Sequence, residues 1–209
     1  MTEQKTRIAV FVSGGGTNLQ ALLDSQRNGV LKSGEIVLVV SSNPTAKAIE
    51  RAKTANVKSV VADKNTYPTL QERESAIVDI LGEENIDLIV LAGYLSILSE
   101  NFTRAYSGRI INVHPSLIPS FCGKGYYGLK VHESVLKRGV KVTGATVHFV
   151  NEIPDGGEII EQKTVRVKKT DTPLSLQKRV MEQAEWIILP RAVEKVSAQL
   201  IKTKNRKEK

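Results

Sequence analysis

Along the first half of the chain, apolar residues gather in short unbroken runs separated by stretches with helical spacing. Ile8-Ala9-Val10-Phe11-Val12 is continuously apolar, as a strand buried on both faces would be. Ser13-Gly14-Gly15-Gly16-Thr17-Asn18 breaks the run, and Leu19 to Ser25 reads as a helix. Ile36 to Val40 is a second strand, and Pro44 leads into a helix over Ala46 to Ala55. Ser59 to Val61 is a short strand. The spacing of Ala76, Ile77, Ile80 and Leu81 predicts a helix over Leu70 to Leu81, and Leu88 to Leu91 is another buried strand. Strands alternating with helices in this way predict a parallel sheet wound on both faces.

The pattern changes in the second half. A short helix near Ser99 to Tyr106 precedes a strand from Arg109 to His114, and Pro115 to Gly128 is a loop rich in Gly and Pro. Leu129 to Lys137 is helical. Val142 to Val150 alternates, with Ala145, Val147 and Phe149 on one face and Thr146, His148 and Val150 on the other. After the turn-rich stretch Asn151 to Gly157, Ile159 to Val167 returns as a strand, so this pair predicts an antiparallel hairpin. Pro173 opens a long helix with apolar positions at Leu176, Val180, Ala184 and Ile187, which Pro190 should kink or interrupt. The fold class expected is α/β: a doubly wound, mostly parallel, Rossmann-like sheet with an added antiparallel hairpin in the C-terminal half. A single domain is expected over 1–200, divided into halves at about 108/109, with 201–209 a disordered basic tail.

Bulk composition narrows the function classes. Hydrophobic residues make up 41% and charged residues 25%, ordinary for a globular protein. No apolar run approaches the roughly 18–20 residues needed to cross a bilayer, and the N-terminus lacks a signal-peptide pattern, so a cytoplasmic protein without a membrane partner is expected. Cys122 is the single cysteine, which excludes an internal disulfide and a cysteine-built metal site. Net charge is +8, but residues 202–209 hold five basic residues and one acid, half of that excess. With aromatics at 5% there is no stacking platform, and nucleic acid is not an expected partner. A moderately basic body suits anionic small substrates.

Three segments could carry chemistry. The glycine run at 14–16, between a strand and a helix, lets backbone approach a ligand and offers free helix N–H groups to a phosphate. It is neither GxGxxG nor a P-loop, and its plain alternative is a tight turn with Asn18 as helix cap. In Ile110-Ile111-Asn112-Val113-His114-Pro115-Ser116, strand alternation places Asn112 and His114 on one face near a strand's carboxyl end. There the amide can donate to a developing oxyanion and the imidazole can trade protons near neutral pH. Pro154-Asp155-Gly156-Gly157 is a turn, and Asp155 is a candidate partner to orient His114, although spacing cannot test that contact. His148 reads as a buried histidine bonded to backbone and His132 as a surface or packing residue. Three histidines without a ligand grouping make no case for a metal.

Together these segments, with Leu91-Ala92-Gly93-Tyr94-Leu95 and Gly144-Ala145-Thr146-Val147-His148-Phe149-Val150, resemble the folate-dependent phosphoribosylglycinamide formyltransferase family up to about Pro190. The Asn-x-His-Pro-Ser-Leu core is common to folate-dependent formyltransferases, and the glycine loop with Thr17-Asn18 narrows the likeness to those acting on glycinamide ribonucleotide. Chain length agrees, since other branches carry an additional domain. The resemblance implies transfer of a formyl group from 10-formyltetrahydrofolate to the amine of 5-phosphoribosylglycinamide in purine biosynthesis, without a metal, in a monomer or homodimer. It places Gly16, Thr17, Asn18, Leu19 and Gln20 on the substrate's phosphate and ribose, and Glu185 on the ribose hydroxyls. Leu95, Ser96, Ile97 and Leu98 would line the pterin pocket, and the loop from Val150 to Asp155 would close over it. Asn112, His114 and Asp155 match the catalytic trio, with Asn112 and Asp155 also reaching the cofactor, and Ile118–Pro119 matches a cis peptide.

Three departures stand out. Leu95-Ser96 replaces the usual Met-Arg. Leu70 stands where Arg or Lys contacts the cofactor, leaving Lys64 and Arg73 as nearby basic residues to compensate. Phe121 to Gly128 replaces a commoner Phe-Pro-Gly loop. A formyltransferase for another amine, such as an amino-sugar nucleotide, and a non-enzymatic ligand-binding protein on the same fold are the alternative readings.

Overall fold

A computed structural model describes residues 4–207. One seven-stranded sheet runs through it in the order β3-β2-β1-β4-β5-β6-β7. The strands are β1 (Thr6–Val12), β2 (Gly34–Ser41), β3 (Lys58–Val61), β4 (Leu88–Leu91), β5 (Ile110–His114), β6 (Val142–Phe149) and β7 (Ile159–Arg166). All pairings from β3 to β5 are parallel. β6 lies antiparallel to both β5 and β7, which makes the expected hairpin.

Helices cover both faces. α1 (Thr17–Arg27), α2 (Lys47–Thr54), α5 (Leu129–Arg138), α6 (Pro173–Val180) and α7 (Trp186–Lys207) bury residues such as Leu19, Ala48, Val135, Leu176 and Ile188 in one core with Val10 and Val39. α3 (Leu70–Glu83) and α4 (Glu100–Ala105) cover the other face, where Ile77, Leu81 and Phe102 meet Phe11 and Leu38. α3 starts at a capping box between Thr69 and Glu72, and Ser99 caps α4.

Strand order reverses between β1 and β4, and such a switch point opens a crevice at the strands' carboxyl ends. The loops after the two strands touch there: the Leu95 N–H donates to Ser13 Oγ at 2.8 Å, and Phe11 meets Tyr94 edge-on at 5.2 Å.

The structure departs from four expectations. α1 begins at Thr17, with Gly16 as its N-cap at φ 69°, so Asn18 lies inside the helix and is not its cap. The break expected at Pro190 comes earlier, as a π-turn over Met181–Glu185, and Pro190 lies inside α7. That wide turn ends just before Trp186, whose carbonyl would face the proline ring in a regular helix. The buried stripe then runs Leu176, Val180, Ala184, Ile188, Ala192, Val196, with Ile188 in the place expected for Ile187. A spacing of four overshoots the α-helical repeat, and the π-turn absorbs part of the excess. Finally, the basic tail expected to be disordered is helical as far as Lys207, and Lys204 Nζ pairs with Asp87 at 2.5 Å; residues 208–209 lie outside the described residues.

Candidate active site

β5 delivers the first two site residues by strand alternation. Asn112 and His114 face the same side, and register sets His148 of β6 opposite Asn112 and Thr146 opposite His114. Asp155 comes from the β6–β7 loop, at φ 56°. The loop closes because Gly157 passes against β6, where a Cβ would lie 1.8 Å from Phe149 O.

The four side chains meet. His114 Nδ1 is 3.4 Å from Asp155 Oδ2, and His148 Nε2 is 3.6 Å from Asp155 Oδ1. Asn112 Nδ2 lies 3.2 Å from His148 Nε2. Neighbouring carbonyls settle the tautomers, since a carbonyl oxygen only accepts. His114 Nε2–H donates to Phe121 O at 2.9 Å, and His148 Nδ1–H to Phe149 O at 2.7 Å. His148 Nε2 is therefore the acceptor for one Asn112 hydrogen, and the second amide hydrogen is left to donate elsewhere.

Burial lowers the pKa of His114 below its ordinary value; Asp155 and the Phe121 carbonyl oppose that, and His148 adds to it. Burial alone would raise Asp155, but the neighbouring His148 and His114 and the Gly123 N–H outweigh it, so this carboxyl is held below the usual range. The Gly123 N–H donates to Asp155 Oδ2 at 2.8 Å. The Phe121–Gly128 loop thus holds both members of the His114–Asp155 pair by main-chain groups.

The glycine run forms the second part. Added Cβ atoms at Gly14 and Gly15 would meet nothing within 4 Å, so their backbone faces open space. α1 starts without a capping side chain or an acidic residue in its first turn, leaving its N–H groups for an anion. Asn18 Nδ2 donates to Glu185 Oε2 at 2.7 Å, and Thr17 Oγ1 reaches Met181 Sδ at 3.7 Å, so the π-turn lies against this helix start. Burial pushes Glu185 up to about 7, against the Asn18 hydrogen bond. Leu19 is sealed in the core, so only its main chain can meet a ligand. Gln20 Oε1 accepts from Arg51 Nη1 at 2.9 Å, and Arg51 Nε donates to Gly15 O at 2.9 Å.

The third part is the loop after β4. Leu95 and Ile97 are 63% and 78% exposed and present apolar surface, as does Ile153 of the Asp155 loop at 59%. Ser96 and Leu98 are half-buried, and Leu98 packs against the α3-side core. Ile118–Pro119 is cis. Among the described residues, no group of three His, Cys, Asp or Glu could hold a metal ion, and no helix is long and apolar enough to cross a membrane.

Asn112, His114 and Asp155, the expected trio, lie in one cluster; His148, expected as a buried histidine bonded to backbone, is that and also joins them, whereas Arg51 and the main-chain groups of Phe121 and Gly123 were not expected. Arg51 and the two main-chain contacts leave no local signal.

The formyl transferase family model matches residues 6–193. A phosphoribosylglycinamide formyltransferase of Haemophilus influenzae is 39% identical over 88% of the chain and 84% of its own length. The human trifunctional purine biosynthetic protein adenosine-3 is 41% identical over 94% of the chain, which spans 19% of that protein. A chloroplastic phosphoribosylglycinamide formyltransferase of Arabidopsis thaliana is 39% identical, and the chain spans 62% of it. The crystal structure of glycinamide ribonucleotide transformylase 1 from Symbiobacterium toebii superposes with a TM-score of 0.86 at 37% identity, covering 93% of this chain and 89% of that one.

Proposed function

Since the chain belongs to the formyl transferase family, we propose that it transfers a formyl group from 10-formyltetrahydrofolate to the amine of 5-phosphoribosylglycinamide, a step of purine biosynthesis. The observation that carries this reading is the Asn112–His114–His148–Asp155 cluster beside an uncapped helix start. In this reading residues of about 1–108 hold the ribonucleotide, joined by one residue of the second half: the N–H groups after Gly16 take its phosphate, Thr17, Asn18 and Gln20 line its path, and Glu185 reaches across to the ribose hydroxyls. Residues of about 109–200, with the loop after β4, hold the folate. Leu95, Ile97 and Ile153 fit a flat ring, because exposed apolar surface gains from being covered.

Folate supplies the activated formyl carbon. The amine nitrogen bonds to that carbon, the bond from the carbon to the folate nitrogen breaks, and one proton passes from amine to leaving nitrogen. Asn112 donates its free amide hydrogen to the formyl oxygen as negative charge develops there. His114 takes the proton lost by the attacking amine and passes it to the leaving folate nitrogen, with Asp155 balancing the transient imidazolium. Holding both reactants in one crevice removes much of the entropy barrier, worth up to ~7–11 kcal/mol in favourable cases. The reading describes a cytoplasmic enzyme of small molecules, monomer or homodimer, working without a metal.

The test is turnover of purified protein with both substrates, followed by the absorbance of the deformylated folate. Turnover that requires both, and falls by about a hundredfold or more in Asn112→Ala and His114→Ala, supports the reading. A folded His114→Ala protein with normal turnover would refute the role given to this histidine.

A further inference from the structure

Ser13, the residue between β1 and the glycine run, is buried and bonds to two other loops. Its Oγ accepts the Leu95 N–H at 2.8 Å and lies 2.6 Å from Ser42 Oγ. Its carbonyl accepts from Asn43 Nδ2 at 3.3 Å, while the Ser42 N–H donates to Val12 O at 3.0 Å. The glycines that follow are tied to α2: Gly14 O accepts the Ala48 N–H at 3.1 Å, and Gly15 O accepts from Arg51 Nε. The turn that offers its backbone to an anion is therefore held from the end of β2, from α2 and, through one hydroxyl, from the loop after β4.

That loop has few holds of its own. It leaves β4 with the Ala92 N–H on Phe11 O at 2.9 Å and Tyr94 against the Phe11 ring. At its far end the Ser99 N–H and hydroxyl both donate to Glu74 of α3. Between these points the Leu95 N–H bonds to Ser13, and among the described residues the main-chain groups of Ser96, Ile97 and Leu98 make no hydrogen bond within the protein. Leu95 and Ile97, the exposed apolar residues, thus lie on a span pinned at Ser13 and at Glu74. One of its two pins is a side chain that belongs to the glycine turn.

We propose that Ser13 is a positioning residue that couples the two substrate sites: its hydroxyl joins the loop facing the folate ring to the turn facing the ribonucleotide phosphate, so each substrate binds more tightly when the other is present. The inference rests on the reading of the two halves given above. A ligand seated on either loop narrows the conformations open to it, and the bond passes that restriction to the other loop. The second ligand then meets a smaller ordering cost. The effect is reciprocal, because the coupling between two binding equilibria is a single free energy. Without the bond each loop still binds its ligand, but nothing joins the two events.

Calorimetry with glycinamide ribonucleotide and tetrahydrofolate, a pair with no formyl group to transfer, measures each dissociation constant with and without the other ligand at saturation. In wild type each constant should fall by about five- to tenfold when the partner is bound. Ser13→Ala should bring that ratio to about one, with both constants measured singly close to wild type, which reports an intact fold. Ser42→Ala alters the same neighbourhood but leaves the Ser13–Leu95 bond, and should keep the ratio. A merely structural serine would weaken binding of the single ligands and leave the ratio standing. Independent binding of the two ligands by wild type, a full ratio in Ser13→Ala, or equal loss of it in Ser13→Ala and Ser42→Ala overturns the inference. If wild type turns over its formyl substrates yet shows no coupling, the inference alone is wrong; if it neither turns over nor binds either compound, the reading beneath it falls too.

Discussion

Asp155 occupies a left-handed backbone conformation, which Asp tolerates better than most side chains, and the following two glycines let the loop turn its carboxylate inward. Its oxygens then face two histidines, while the Gly123 N–H fixes one of them. Asp155 is among the groups that raise the His114 pKa against burial. Asp155→Asn should therefore lower the His114 pKa still further below its ordinary 6.5, as read from the pH dependence of its ring-proton NMR signal. Turnover should fall by about a hundredfold or more. An unchanged or higher His114 pKa in that variant would show that the carboxylate does not act on the imidazole.

At the scale of elements, the entry to α1 shows how one residue can couple two helices. Gly16 caps α1 at φ 69°, and a Cβ there would lie 2.7 Å from Ala48 Cβ and 2.8 Å from Ala48 Cα. The left-handed backbone and the approach of α2 both require glycine. Gly16→Ala should destabilise the protein by about 2 kcal/mol or more, measured by urea unfolding, and should weaken ribonucleotide binding with it. A change below roughly 0.5 kcal/mol would mean that α2 moves aside freely. The start of this helix was hard to read from sequence because Asn18, a favoured capping type, stands two residues inside it. The side chain instead makes a long-range contact to Glu185.

At the scale of the molecule, two buried titratable groups set opposing pH dependences. Glu185 ionises near 4.5 when exposed and near 7 when folded, so raising the pH through that window favours unfolding. His132 is fully buried with both ring nitrogens unpartnered, and burial, with His114 nearby, lowers it from 6.5 to about 4. Lowering the pH through that window also favours unfolding, because only the unfolded chain takes up the proton. At about 1.4 kcal/mol per pH unit each contributes about 3 kcal/mol, and the two largely cancel where the windows overlap. Relative to wild type, Glu185→Gln should gain stability progressively from pH 4.5 to 7, and His132→Leu from pH 6.5 down to 4, both read from urea midpoints. Variant and wild-type curves that stay parallel across these ranges would disprove the assignment.

The type and order of nearly every element were legible in the sequence, because a doubly buried strand and a one-sided helix each impose a local apolar pattern. The residue types of the site were legible for the same reason: Asn112 and His114 share a face by strand alternation alone, and the glycine run marks a turn wherever it occurs. Periodicity reports a face, however, and not the partner opposite it. Only the tertiary structure decided that Asp155 reaches His114 and His148, that Glu185 reaches Asn18, that Arg51 bridges to Gly15, and that Phe121 and Gly123 hold His114 and Asp155. Each of these contacts depends on register or on a crossover between segments far apart in the chain. The same is true of the π-turn and of the helical tail: one accommodates a proline inside a buried helix, and the other is anchored by Lys204 to Asp87 at the start of β4. Local sequence specifies which surfaces must be buried, whereas the meeting of two such surfaces is an energy of the whole fold.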